Sequence, residues 1–312
     1  MNDWEIKALG AVLRRLARVD RHERRTLQES GVDVLPVNFY SNTPSVAEIE
    51  RSFEYATDTP PYLDPRIFRQ ERMRRILEEL LEFSGEFDPP VDGSEESPRS
   101  FFWNNSTFSY SDAMAYYCFL RKTRPANIVE IGSGMSTLIA LLATEKNGSG
   151  KVHCIEPYPR DFLQRDERIA LHPVEAQEIA PEFLASLLGD GDVLFIDSTH
   201  TVKTGSDCLH IYLRLLPRIE RDILVHSHDV FLPFGMPRDW LLDRQIFWTE
   251  QYLLLAFLID NPKASVLYGS TYNTHWNWPL METLMGGKCG PGGGSLWFRY
   301  RGDRSVEESP ED

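Results

Sequence analysis

Two kinds of hydrophobic spacing divide this chain. Up to residue 100 only helical spacing is visible. Ile6, Leu9, Leu13 and Leu16 recur three or four apart, and so do Met73, Ile76, Leu77, Leu80 and Leu81, which predicts amphipathic helices. Residues 87–100 (FDPPVDGSEESPRS) combine proline, serine and acids and break the period, so they read as a linker. The expected organisation is a helical extension and linker over 1–100, a second domain over 101–303, and a disordered acidic tail over 304–312.

From residue 127 onward, short apolar runs alternate with helical stretches. Strands are expected at 127–131, 151–155, 169–171, 192–196, 222–225, 265–268 and 295–300, and helices at 136–145, 181–188, 205–216 and 248–260. Strand–helix alternation of this kind indicates an α/β fold, a mostly parallel sheet covered on both faces. Such sheets bind ligands at the carboxyl ends of their strands, so chemistry is sought there.

Composition narrows the partners. Apolar residues make up 42% of the chain, enough for a sizeable core, and the net charge of −14 argues against a nucleic-acid surface. The arginines at 14, 15, 18, 21, 24 and 25 are interleaved with Leu13, Leu16 and Val19 and read as the solvated face of a helix. The cysteines at 118, 154, 208 and 289 form no CxxC pair, so neither a disulfide framework nor a structural zinc site is suggested. No signal pattern or membrane-length apolar run is seen, which makes a cytoplasmic location the expectation. The helical extension is expected to support a homo-oligomer.

The first strand ends in Glu130-Ile131-Gly132-Ser133-Gly134 and opens directly into a helix. Glycines at 132 and 134 permit a tight turn and a close approach of backbone to ligand. The second strand ends at Glu156, where an acid can accept both hydroxyls of a ribose. A nicotinamide-dinucleotide oxidoreductase would use a similar turn. Its fingerprint, however, requires a third glycine where Thr137 stands, and Glu130 would repel a pyrophosphate while suiting the cationic end of S-adenosylmethionine. Val174-Glu175-Ala176-Gln177 follows the third strand, and Leu194-Phe195-Ile196-Asp197 closes the fourth with an acid.

With Phe195-Ile196-Asp197-Ser198-Thr199-His200 and Val225-His226-Ser227-His228-Asp229-Val230 added, residues 104–300 resemble the class I S-adenosylmethionine-dependent methyltransferases, within them the macrocin-type natural-product O-methyltransferases. The resemblance implies a Rossmann-like seven-stranded sheet whose last strand is antiparallel. It implies S-adenosylmethionine as cofactor, with Glu130, Gly132, Ser133 and Gly134 near the methionine moiety, Glu156 on the ribose, Ala176 and Gln177 near adenine, and Asp197 at the same strand end. By analogy, residues 104–110 could fold over the cofactor.

Methyl transfer from a sulfonium needs an oriented nucleophile and a way of removing its proton. The candidates are His228, His200 and Asp229, acting on a small-molecule acceptor through oxygen. Two readings stay open. A histidine, His228 foremost, is a metal-free general base, or Asp197, His228 and Asp229 hold Mg²⁺ or another divalent cation. His226 shares a strand face with His228 and, if that face is buried, is expected to be a satisfied core histidine or a support to the site rather than a catalyst. The aromatic stretch 271–278 fits neither a helix nor a simple strand and is expected to wall an acceptor pocket or to pack. Residues 286–294 (GGKCGPGGG) are expected as a loop beside the site or a long connection. A non-catalytic S-adenosylmethionine- or nucleotide-binding protein is the alternative from another class.

Overall fold

The computed structural model describes residues 1–96, 98 and 100–302, so the expected tail at 304–312 lies outside the described residues. Two compact units divide the chain, Met1–Ala56 and the remainder from Thr57. The first carries helices α1 (Asp3–Leu16), α2 (Arg21–Glu29) and α3 (Val46–Glu50). Each begins with a capping box. Asn2, Asp20 and Ser45 accept hydrogen bonds from helix amides, and Glu5, Glu23 and Glu48 reach back to the cap backbone.

The second unit holds the sheet. In chain order it runs α4 (Gln70–Ser84), α5 (Tyr110–Thr123), β1 (Asn127–Ile131), α6 (Met135–Asn147), β2 (Lys151–Ile155), α7 (Asp161–Gln164), β3 (Ile169–His172), α8 (Pro181–Leu187), β4 (Val193–Ile196) and α9 (Asp207–His210). It continues with β5 (Asp222–His228), α10 (Arg238–Leu242), α11 (Glu250–Leu258), β6 (Ala264–Gly269), α12 (Ser270–Trp276), α13 (Trp278–Met285) and β7 (Ser295–Arg301). All seven expected strands are present. The sheet order is β3-β2-β1-β4-β5-β7-β6, with β7 antiparallel to both neighbours and the first five strands parallel.

Alternation along the strands feeds two cores. Ile128, Val152, Cys154, Val193 and Phe195 face the layer that contains α4, α5, α6 and α13. Val129, Ile131, Ile155, Leu194 and Ile196 face the opposite layer, where Leu184, Ile211, Leu215 and Leu254 pack. Helix α4 belongs to this unit: it packs on α5, α13 and β6 and buries Met73, Leu77 and Leu80 completely. Cys118, Cys154 and Cys208 are free and buried, as small core residues.

The stretch 271–278 corrects the sequence expectation, because it is mostly helical. Residues 270–276 form α12, and the rings of Tyr272 and Trp276, one turn apart, meet at 4.3 Å. Packing of these rings outweighs the weak intrinsic helix preference of Thr, Tyr, Asn and His. Among the described residues no helix is long and apolar enough to cross a membrane.

Candidate active site

The β1–α6 turn is shaped by contact with β4. Gly132 has φ +83°, and a Cβ there would lie 1.9 Å from the backbone oxygen of Asp197, so only glycine fits. The amide of Ser133 donates to Glu156 Oε2 at 3.2 Å, and the amide of Tyr158 donates to Oε1 at 2.8 Å. Glu156 is thereby fixed at the end of β2. Gly132, Ser133, Gly134, Met135, Glu156, Arg160, Asp197 and Ser198 line a cleft of about 270 Å³, closed on one side by Thr107 and Phe108. Asn105 shapes that cover, since its Oδ1 accepts from the Phe108 amide at 2.7 Å and its Nδ2 donates to the carbonyls of Phe102 and Phe108.

Glu130 sits differently from the other residues of the turn. It is fully buried under the sheet, where Tyr116 donates to Oε1 at 2.9 Å and Thr137 donates to Oε2. Burial raises its carboxyl to about 7, against the lowering effect of these hydroxyl donors. It is not among the residues lining the cleft. Ala176 and Gln177 lie in a short 3-10 turn, residues 176–178, also away from the cleft lining.

Beyond the cleft, the ends of β4 and β5 bring a charged cluster together. His200 Nε2 lies 3.2 Å from Asp197 Oδ1 and 3.6 Å from Asp229 Oδ2. One ligand atom from each of Asp197, His200 and Asp229 falls within 4.8 Å of the others. His228 Nδ1 approaches the same carboxylates at 3.3 and 3.7 Å, while its Nε2 lies 3.5 Å from Asp112 Oδ2. Asp197 spans both features, lining the cleft and carrying the cluster. Its side chain stays about a third exposed.

The charges explain the titration. Burial disfavours the imidazolium of His200, but hydrogen bonds to Asp197 and Glu250 outweigh it and raise the group to about 10. His228 goes up against the same burial cost, through Asp229, Asp197 and Asp112. Burial works against ionisation of Asp197 too, yet His228 and His200 hold it well below the usual carboxylate range. At Asp229 burial dominates and pushes the carboxyl up.

Two acids completing this cluster escape sequence reasoning. Glu250 opens α11, is 1% exposed, and accepts from His200 Nδ1 at 2.7 Å, from Tyr212 at 2.6 Å and from Ser198 at 3.1 Å. In the sequence it is merely an acid in a first helical turn, where the helix dipole favours one anyway. Asp112 plays the matching part for His228, and its other oxygen is buried without a hydrogen-bond partner. His226 is a core residue. It bonds Ser295 Oγ at 2.7 Å and stacks on Trp297 at 4.4 Å, and burial depresses its pKa.

The aromatic side chains following β5 border the cluster. Trp248 lies 4.4 Å from the His200 ring and meets Trp240 edge-on at 5.4 Å, which in turn meets Phe231 at 5.2 Å. The 286–294 loop is anchored at the start of α5, where Asp112 accepts from the Gly294 amide at 2.9 Å.

Comparison with known proteins gives a family match over part of the chain. Residues 129–230 match a methyltransferase domain. That segment runs from β1 to just past Asp229 and so contains the glycine turn, Glu156 and both strand ends of the cluster. An uncharacterized protein of Archaeoglobus fulgidus is 35% identical over 144 residues, covering 44% of this chain and 64% of its own length. The chain thus spans somewhat under two-thirds of that curated relative. Among solved structures, an O-methyltransferase from Bacillus cereus in complex with S-adenosylhomocysteine is similar at 13% identity and TM-score 0.38, covering 72% of this chain and 90% of its own. An O-methyltransferase of tomaymycin synthesis from Streptomyces achromogenes, in complex with S-adenosylmethionine, gives 14%, 0.39, 72% and 88%.

Proposed function

We propose that the chain transfers a methyl group from S-adenosylmethionine to a hydroxyl oxygen of a small acceptor, with a divalent cation held by Asp197, His200 and Asp229. The observation that carries the proposal is the environment of His200. Its Nδ1 is committed to Glu250, so its Nε2 faces two carboxylate oxygens. Without a cation the imidazolium N–H fills that position, as a group raised to about 10 requires, and a divalent cation held by the three atoms would take the place of that proton.

Charge balance supports the same reading. The group contains four carboxylates, Asp112, Asp197, Asp229 and Glu250, and two imidazoles, His200 and His228. With all four carboxylates ionised and both imidazoles protonated, two negative charges stay buried or half-buried without compensation, which is costly in a low-dielectric site. The mixed oxygen and nitrogen donors suit Mn²⁺ or Mg²⁺ supplemented by water. A bound cation of this kind supplies Lewis acidity that lowers the pKa of an acceptor hydroxyl.

The polar groups of the cleft support this choice of cofactor. S-adenosylmethionine supplies an electrophilic methyl on sulfur. Glu156, with both oxygens already oriented by backbone amides, is placed to accept the ribose hydroxyls, and the Gly132–Gly134 backbone allows close approach. Phe108 covers this cleft and also meets the His228 ring at 4.7 Å, so one side chain screens both parts of the site from water. Orientation of an acceptor oxygen at the cluster, beside Asp197 and facing the cleft, is what the chain contributes most.

The environment of His228 speaks against a histidine base. Three carboxylates favour its protonated form, which has no lone pair to offer. The natural proton acceptor in a cation-free version is Asp229, whose carboxyl burial raises. Calorimetry on the full chain with S-adenosylhomocysteine, NAD and Mn²⁺ as separate titrants tests the reading, together with turnover of a hydroxylated acceptor panel in EDTA. Binding of S-adenosylhomocysteine and Mn²⁺, with EDTA-sensitive methylation, is expected. NAD binding without S-adenosylhomocysteine binding overturns the cofactor, and full turnover in EDTA shifts the chemistry to Asp229. Cofactor binding without methylation of any acceptor favours a non-catalytic binding protein.

A further inference from the structure

Glu250 is 1% exposed, more buried than His200 at 5%, yet it does not line the cleft. Its two oxygens receive three donors. Oε2 takes His200 Nδ1 at 2.7 Å and Ser198 Oγ at 3.1 Å, and Oε1 takes the Tyr212 hydroxyl at 2.6 Å. Tyr212 is itself bonded to Ser227 Oγ at 2.9 Å, and Tyr212 and Ser227 are fully buried. The donors come from the loop after β4 and from the helical stretch after α9, and Ser227 of β5 holds Tyr212 in turn, so the carboxylate is tied to two segments directly and to the sheet through Tyr212.

The backbone makes the same connection a second time. The carbonyl of His200 accepts from the amides of Thr249 and Glu250 at 2.8 and 3.0 Å, and the Val202 amide donates to Thr249 Oγ1 at 2.8 Å. His200 is thus bolted at both its carbonyl and its Nδ1 to the first residues of α11. Its own φ of +56° is one that non-glycine residues rarely adopt, and it survives here because these bonds over-determine it.

We infer that Glu250 is a positioning residue. By holding Nδ1 of His200 it fixes the ring orientation and keeps Nε2 aimed between Asp197 and Asp229, and through α11 it ties that aim to the segment carrying Trp240 and Trp248. This inference rests on the reading of Asp197, His200 and Asp229 as the working cluster. An exposure of only 1% is expensive for a carboxylate that merely stabilises a loop, and a glutamine of the same shape avoids the charge. Glutamine, however, presents a single acceptor oxygen to three donors and cannot hold all of them.

The test compares Glu250→Gln, Glu250→Asp and Tyr212→Phe with the unaltered full chain. Mn²⁺ affinity is measured by calorimetry without cofactor or acceptor, S-adenosylhomocysteine affinity separately, kcat and KM by turnover, and the His200 imidazole proton by NMR on cation-free protein. Loss of a partner of this kind weakens metal binding by roughly 10–100-fold. Glu250→Gln is expected to weaken Mn²⁺ by that factor, lower kcat with little change in KM or S-adenosylhomocysteine affinity, and abolish the hydrogen-bonded Nδ1 proton. Glu250→Asp and Tyr212→Phe are expected to give intermediate losses. Tyr212→Phe keeps the buried charge in place, so it reports even if Glu250→Gln fails to fold.

Unchanged Mn²⁺ affinity, kcat and Nδ1 signal in Glu250→Gln and Tyr212→Phe would overturn the inference. Failure of the cation reading looks different. The unaltered chain would then bind no Mn²⁺, while the Nδ1 proton would still be present in it and lost in Glu250→Gln.

Discussion

His200 and Asp229 stand on different loops, yet both hold left-handed backbone conformations, φ +56° and +53°, and place Nε2 and Oδ2 3.6 Å apart. Each immediately follows or closely trails a parallel strand, β4 for one and β5 for the other. Two unfavourable residues converging on one point is the pattern expected where local strain is retained for function.

Asp229→Asn tests that convergence. The substitution keeps shape and removes one charge from the cluster, so Mn²⁺ affinity should fall by at least roughly 10-fold and methylation with it. Asp197→Asn should be as damaging. Equal Mn²⁺ binding by all three proteins in calorimetry would remove these carboxylates from the cation site.

Glu156→Ala removes an acceptor already pinned by two amides. S-adenosylhomocysteine binding should weaken by roughly 1–3 kcal/mol, the scale of a charge-assisted hydrogen-bond pair. Mn²⁺ binding should stay as it was, because Glu156 is not part of the cluster. Wild-type cofactor affinity in this variant would displace the ribose from β2.

Glu130 gives a pH dependence of stability. Burial raises its carboxyl from 4.5 to about 7. Between these values the folded protein binds a proton that the unfolded chain releases, so this contribution is complete below pH 4.5 and is lost as pH rises through 7. The loss is on the order of 3 kcal/mol at most, from 1.36 kcal/mol per unit. Glu130→Gln should therefore flatten the decline in melting temperature between about pH 5 and pH 8. A slope in the variant equal to that of the unaltered protein would show that another group sets it.

Gly293 tests the anchoring of the glycine loop. Its φ is +94°, and a Cβ would lie 2.2 Å from Asp112 Oδ2. Gly293→Ala must shift either the loop or Asp112, the partner of His228. A stability cost of roughly 1–3 kcal/mol is expected, with a lower kcat at full S-adenosylhomocysteine affinity. Normal turnover and melting temperature would mean that the loop is free to move aside.

Removing residues 1–100 would take away α4, whose Met73, Leu77 and Leu80 are completely buried against the sheet unit. The truncated chain should aggregate or expose apolar surface to a hydrophobic dye. The milder Leu77→Ala should cost roughly 2–5 kcal/mol in chemical denaturation. A soluble truncated protein with an unchanged melting temperature would contradict this packing.

The sequence by itself determined the strands and the glycine turn, because each is written in neighbouring residues. Short apolar runs and a glycine with a strand before it and a helix after it are both local signals. It also determined that Asp197, His200, His228 and Asp229 would meet, since parallel strands deliver their carboxyl ends to one edge. Only the tertiary structure decided which nitrogen of which histidine faces which acid. Glu250 is 50 residues from His200, and Asp112 is more than a hundred residues from the Gly294 amide that it accepts. Tertiary packing also turned Glu130 away from the cleft, toward Tyr116 and Thr137, and made a helix of 270–276. Hydrogen bonds and ring contacts across such separations depend on how layers dock, and no spacing along the chain records that.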